Sequence, residues 1–203
     1  SPDELISGLE NQERQLISSW LGVVDPSPSN DEDLNSVIQH ILDADAVNRK
    51  LDRMAWEITE RHWGELDLVV VGMAQSGYKL AEHLVERVRS RSSMSVALVE
   101  LSVNKRNPHA GPTVCSLPVE ELNNRCVVLV DDVLNSGATL IYGVHHLLQA
   151  PLKRLTTVVL VDRNHKSFPI KADIKGLSLS TSLKDHVDVH FHGTGAITVS
   201  LRD

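Results

Sequence analysis

Two adjacent carboxylates, Asp131 and Asp132, close the apolar run Val127-Val128-Leu129-Val130, and a short polar loop follows: Asn135, Ser136, Gly137, Ala138 and Thr139. Carboxylates accept hydrogen bonds from hydroxyl groups and, with a hard divalent cation, serve as oxygen ligands. The loop offers the opposite chemistry. Gly137 permits the backbone dihedrals that turn successive N–H groups toward one point. The hydroxyls of Ser136 and Thr139 add donors, and a helix start beyond the loop adds the positive end of its dipole. Acceptors beside an anion cradle suit a sugar phosphate, and a ribose 5-phosphate uses both. Adjacent residues at a strand end face opposite sides. One acid then reaches a hydroxyl directly while the other acts through a metal or a water. A buried strand with an N-capping turn is the plain alternative. The complete run from Val127 to Thr139, flanked by strand and helix patterns, favours the ligand site.

A second loop stands in an equivalent place, after a strand pattern and before a helix pattern: Gly72-Met73-Ala74-Gln75-Ser76-Gly77-Tyr78-Lys79. It approaches the phosphate loop of nucleotide triphosphatases, but Tyr78 separates the second glycine from Lys79, which moves the lysine off the phosphates and excludes that class. The backbone of Ala74, Gln75, Ser76 and Gly77 remains able to bind a pyrophosphate; an ordinary tight turn is the alternative. Lys105 and Arg106 lie in the long irregular stretch 104–113, the kind of loop that is usually functional or mobile. Contact with phosphate is open to that pair, whereas Arg87, Arg89 and Arg91 read as a solvated face. The pairs His145-His146 and His190/His192 have no Cys or carboxylate cluster at ligand spacing, so they read as satisfied or solvated rather than metal-binding.

Alternating elements must hold these loops. Ala46, Leu51, Met54, Ala55 and Ile58 predict a helix over residues 44–62, ended by Gly64. Strands are predicted at 68–71, 96–101, 126–130 and 157–161, and helices at 77–89 and 139–148. Residues 37–42 fit either a short strand or the lead into a helix. Strand and helix in alternation mean a parallel sheet covered on both faces, with ligands beyond the carboxyl ends of the strands. From Ile170 onward the pattern weakens, and residues 187–191 and 197–201 suggest a small β element over the sheet edge.

Length and charge bound the rest. The 203 residues suit one domain with an appendage, and 3% aromatic content requires an aliphatic core. Residues 1–36 carry eight acids against Arg14 alone, while the remaining 19 acids and 19 bases cancel. A helix start at Ser1-Pro2-Asp3-Glu4, an amphipathic run to Leu21 and a Pro-rich polar stretch near residues 25–33 make this segment an acidic helical extension and linker. The body, residues 37–203, is electrically neutral and gives no electrostatic reason to expect nucleic acid. Apolar runs are too short for a membrane span. No secretory pattern opens the sequence, and Cys115 and Cys126 form neither a disulfide framework nor a zinc pattern, so a reduced, cytoplasmic protein is expected.

The run from Val127 to Thr139 resembles the 5-phosphoribosyl-1-pyrophosphate (PRPP) signature of type I phosphoribosyltransferases. Two further stretches resemble one branch, the PyrR family of pyrimidine operon regulators and uracil phosphoribosyltransferases. They are Ile41-Leu42-Asp43 with Arg53-Met54-Ala55-Trp56-Glu57-Ile58, and Leu160-Val161-Asp162-Arg163-Asn164-His165-Lys166-Ser167-Phe168-Pro169-Ile170-Lys171-Ala172-Asp173 with Gly176 and Ser180-Thr181-Ser182. The resemblance implies an α/β parallel-sheet phosphoribosyltransferase fold with a small C-terminal hood and an N-terminal helical extension. It implies transfer of ribose 5-phosphate from PRPP to a nucleobase, uracil or a relative, with Mg²⁺ and release of pyrophosphate. It assigns Asp131 and Asp132 to the ribose and the metal, residues 135–139 to the 5-phosphate, residues 74–77 to the pyrophosphate, and Lys105 and Arg106 to a flexible loop. Val161, Asp162, Arg163, Phe168 and Ile170 fall to the base. A homodimer is implied as well, and RNA binding belongs to the family's repertoire.

The chain departs from the family pattern in four places. The pyrophosphate loop GMAQSG lacks the cations of GIKTRG-like loops, Glu100 stands near a position usually held by Arg, Asn135 and Ala138 replace Tyr and Arg, and the acidic arm is extra. Charge-assisted contacts are worth about 1.5–3 kcal/mol each, so two or three losses weaken pyrophosphate binding severely. Two functions therefore stand side by side: a PRPP-dependent transferase, and a PRPP- or nucleotide-sensing regulator with weak turnover.

Overall fold

The computed structural model describes residues 38–103, 113–164, 166–182 and 185–202. The acidic extension 1–36 and the cations Lys105 and Arg106 lie outside the described residues. Strand β1 (Ile38–Leu42) leads into helix α1 (Ala44–Arg61), then β2 (Asp67–Met73), α2 (Ser76–Arg91), β3 (Ser95–Ser102), β4 (Val114–Cys115), a 3₁₀ turn (Val119–Leu122), β5 (Cys126–Leu134), α3 (Ala138–Leu147), β6 (Arg154–Arg163), β7 (Ile174–Leu179), β8 (His186–Phe191) and β9 (Ile197–Arg202). Asp43 caps α1, its carboxylate accepting from the Ala46 N–H at 2.7 Å.

Six strands form the main sheet in the order β4-β3-β2-β5-β6-β7. β2, β3, β5, β6 and β7 are mutually parallel, and only the short edge strand β4 runs antiparallel. The central strands read as unbroken apolar runs because both faces are covered. Alternation then sorts their side chains. Leu68, Val70, Val128 and Val130 join Leu51, Met54, Ile58, Leu80 and Leu84 in one core under α1 and α2. Val69, Val71, Val127 and Leu129 join Leu140 and Leu147 of α3 in the other, which Leu122 of the 3₁₀ turn completes. Arg87 and Arg91, expected on a solvated face, both reach Asp52 of α1, at 3.2 and 2.6 Å, and so tie the two helices together. Arg89 donates to the Val96 carbonyl at 2.6 Å.

Three expectations need correction. β5 continues through both aspartates to Leu134, four residues past its predicted end, because Asp131 pairs with Val159 and Val133 with Val161 of β6. The stretch after Ile170 contributes β7 to the main sheet, where Ile174 pairs with Val158. Its pattern is faint because exposed Lys175 separates buried Ile174 from a buried glycine, Gly176, and Ser178 beyond them is exposed again. The hood is not purely C-terminal: β1 joins the β8–β9 hairpin in a separate antiparallel sheet, order β1-β9-β8, with Ile38 opposite Arg202. Of the residues 37–42 left open between strand and helix lead, Ile38–Leu42 form a strand. Val199 and Ile197 plug that small sheet into the core beneath α1 and α2.

Candidate active site

The carboxyl ends of β2, β3, β5 and β6 carry the residues singled out above. Asp131 and Asp132 lie within the last turns of β5 pleat. Asp131 is buried, 4% exposed, and its Oδ1 accepts the Asp132 N–H at 3.0 Å. Asp132 is half-buried, so the two side chains take different environments, as strand geometry requires.

After β5 the chain turns through Asn135 and Ser136 to Gly137, whose φ of 85° and ψ of −2° lie in the left-handed region. A side chain there would be strained and would also collide with Ile170, whose Cγ2 stands 2.7 Å from the position of an added Cβ. The Ala138 N–H bonds the Ser136 hydroxyl at 3.3 Å, and the Gly137 carbonyl accepts from Ile141 at 3.0 Å, which starts α3. No acidic residue occupies the first turn of α3, so its positive end is not neutralised from within. Asp131, Asn135, Ser136, Gly137 and Thr139 line a cavity of about 40 Å³. A small cradle of hydroxyls and amides at a helix start, walled by a carboxylate, is suited to a tetrahedral anion attached to a polyol.

The second loop closes the neighbouring side. Ala74 donates to the Leu101 carbonyl at 2.9 Å, the Ala74–Gln75 peptide is cis, and Ser76 opens α2. A Cβ on Gly77 would lie 2.9 Å from the Val130 carbonyl oxygen and 3.1 Å from Asp131 Oδ1. Only glycine lets the start of α2 lie against the end of β5, and this contact brings the two loops together. Ala74, Gln75 and Ser76 line a cavity of about 400 Å³ with Glu100, Ser102 and Val103. Ser102 and Val103 carry no sequence signal of their own; their place comes from the pairing of β3 with β2. Lys79 does not enter this cavity: its Nζ stands 5.7 Å from the ring centre of Phe191 in β8.

The third wall comes from the segment after β6. Ser167 and Phe168 both donate their N–H groups to the Ser136 carbonyl, at 2.9 and 3.1 Å. Phe168 and Ile170 thereby lie over Gly137 and the small cavity beside it, half-exposed. Val161, Asp162 and Arg163 are buried. Asp162 accepts from Lys166 at 3.2 Å and from Lys175 of β7 at 3.3 Å. Arg163 donates to the Thr181 hydroxyl and the Ser182 carbonyl, both at 3.0 Å. The charged ends of Asp162 and Arg163 are thus committed to bracing the wall, while Phe168 and Ile170 present apolar surface. His190 and His192 bond Ser200 at 2.8 Å and Thr198 at 3.0 Å. At the other pole of the sheet His62 is buried beside Thr156, and burial with the nearby Arg154 lowers its pKa to about 4.

Comparison with known proteins agrees with this geometry. The family model for the phosphoribosyl transferase domain matches residues 38–192. The bifunctional protein PyrR of Brevibacillus brevis is 35% identical over 157 residues, covering 73% of this chain and 87% of that protein. The PyrR of Pediococcus pentosaceus is 30% identical over 160 residues, covering 74% of this chain and 90% of that protein. Among solved structures, a hypoxanthine phosphoribosyltransferase from Trypanosoma cruzi, complexed with the product IMP, superposes with a TM-score of 0.66 at 18% identity, covering 79% of this chain and 88% of that one. A hypoxanthine-guanine phosphoribosyltransferase from Bacillus anthracis gives 0.62 at 19% identity, covering 72% of this chain and 85% of that one. The matched span holds the paired acids, both loops and the wall after β6, and the chain belongs to the type I phosphoribosyltransferases, among the PyrR-like proteins.

Proposed function

We propose that the chain transfers ribose 5-phosphate from PRPP to uracil and releases pyrophosphate. The observation that carries this reading is the buried Asp131 with half-buried Asp132, set directly before the left-handed Gly137 and the unneutralised start of α3. The amides and hydroxyls of residues 135–139 hold the 5-phosphate. Asp131 and Asp132 accept from the ribose hydroxyls and lie where positive charge grows on the ring as the bond from C1 to the pyrophosphate oxygen breaks. A base nitrogen forms the new bond to C1 and loses its proton, and pyrophosphate leaves with the electron pair. Phe168 and Ile170 cover the cradle and keep water from the cation, while the backbone bonds of Ser167 and Phe168 to Ser136 hold base and ribose sites in one register. The two carboxylates are hard oxygen donors and fit Mg²⁺, which when bound supplies charge for the pyrophosphate. Uracil is favoured by the likeness to PyrR proteins rather than by any side chain in the site. The same reading carries a cytoplasmic homodimer, with residues 1–36 as an acidic extension to a transferase domain spanning 37–203. Among the described residues no helix is long and apolar enough to cross a membrane.

A second reading, a regulator that binds nucleotide with slow turnover, is favoured by the cavity at residues 74–76, whose charged lining among the described residues is Glu100. Both are tested by pyrophosphate release from PRPP and Mg²⁺ with uracil, beside calorimetric binding of PRPP and UMP. Uracil-dependent release that disappears in Asp131→Asn/Asp132→Asn supports the transferase. Binding of UMP without release supports the regulator. Neither binding nor release overturns both.

A further inference from the structure

The cavity beyond β2 and β3 is lined by Ala74, Gln75, Ser76, Glu100, Ser102 and Val103, and Glu100 is the charged member of that set. Its place is secured by the backbone. Glu100 pairs with Gly72 of β2, its N–H donates to the Ser116 hydroxyl at 3.0 Å, and its carbonyl accepts the Ser116 N–H at 2.9 Å. Val130 of β5 pairs with the same Gly72 from the other side, one residue before Asp131. The Glu100 strand position therefore sits two strands from the paired acids, at nearly the same height on the sheet. No Lys or Arg lines this cavity among the described residues, and Lys79, three residues past Ser76, is turned to Phe191; Lys105 and Arg106, two and three residues past Val103, lie outside the described residues.

We infer that Glu100 is a specificity residue, selecting nucleoside 5′-monophosphates over ligands that place a second anionic group in this cavity. The inference rests on the PRPP reading of the site. A nucleoside monophosphate sets its single anion in the residue 135–139 cradle and leaves the Glu100 cavity to water. PRPP sets a pyrophosphate there, opposite a carboxylate. Like charges a few ångströms apart at a partly exposed site repel, and salt weakens the repulsion. Glu100 thus biases occupancy toward product nucleotide and makes a metal-free pyrophosphate the disfavoured partner.

The test is calorimetric titration of the full chain with PRPP and with UMP, in EDTA and again in Mg²⁺, for the unmodified protein, Glu100→Gln and Glu100→Lys. The expected result in EDTA is at least about tenfold tighter PRPP binding in Glu100→Gln, tighter still in Glu100→Lys, with UMP affinity within about twofold and the gain shrinking at high salt. Unchanged UMP affinity shows that the variants remain folded. A PRPP-to-UMP affinity ratio that moves less than about twofold overturns the inference and leaves the family site intact. Weaker PRPP binding in Glu100→Gln at saturating Mg²⁺ also overturns it, since the carboxylate would then be holding the cation. If the unmodified protein binds neither ligand, the PRPP reading falls together with the inference.

Discussion

The two loops that meet above the sheet, residues 135–139 and 74–77, have the same origin and different equipment. Each follows a buried central strand, opens a helix and contains a glycine that its geometry demands. The β5–α3 loop has two carboxylates before it, hydroxyls at Ser136 and Thr139 within it, and a left-handed glycine at its crest. The β2–α2 loop has backbone amides, Gln75 and Ser76, and faces Glu100 across its cavity. A fold supplies positions at strand ends, and chemistry depends on which side chains occupy them. Here one position carries two carboxylates and two hydroxyls around a left-handed glycine, while its neighbour carries Gln75 and Ser76 opposite Glu100.

The comparison breaks most completely at Gly137. Gly137→Val forces a branched side chain into a left-handed backbone and against Ile170, so UMP affinity should fall by at least about 100-fold, roughly 3 kcal/mol, in calorimetry. Retained far-ultraviolet dichroism would show that the loss is local. Affinity within threefold would remove the cradle from the argument.

Stability at the far pole supplies a control. His62 has its pKa lowered to about 4 by burial, so the unfolded chain binds the extra proton between there and the usual value near 6.5. Stability from the neutral ring is present above about pH 6.5 and is lost as pH falls toward 4, by at most about 3 kcal/mol. Urea midpoints measured from pH 7 to pH 4.5 should fall steeply in the unmodified protein and less steeply in His62→Phe. Parallel slopes would place the acid sensitivity elsewhere.

Gly77→Ala presses a methyl group to within 2.9 Å of the Val130 carbonyl and should separate α2 from β5. The expected cost is about 1–3 kcal/mol, a drop of several degrees in Tm, together with weaker binding of any ligand spanning both loops. An unchanged Tm would mean that the loops are not pressed together as described. The smallest effect is expected for Thr139→Val, which removes one hydroxyl from the cradle and should weaken UMP by about tenfold without altering Tm. Equal weakening of UMP and PRPP would sharpen the division of labour, because the phosphate they share would be the group affected.

Much of the β5–α3 connection was legible because its determinants are contiguous. Strand, acids, turn glycine and helix start follow one another from Val127 to Thr139, and local dihedral preference with alternation suffices to recognise them. The central strands and α1–α3 were legible for the same reason, to within a few residues at their ends except in β5. That strand runs on through Asp131 and Asp132 because β6 pairs with it, and no local pattern announces a partner strand. The wall after β6 was legible as a motif but not as an arrangement. Arg163 finds Thr181 and Ser182, and Asp162 finds Lys175, only once β6 and β7 lie side by side.

By itself the sequence determined the alternating α/β order, the two loops and the acidic pair, since each depends on residues within one or two turns of chain. Tertiary structure alone decided that β1 completes the β8–β9 sheet, that Lys79 turns to Phe191, and that Glu100 joins residues 74–76 around one cavity. These depend on hydrogen-bond registers between segments far apart in sequence. A register is selected by the joint burial of both strands, so neither segment carries it alone.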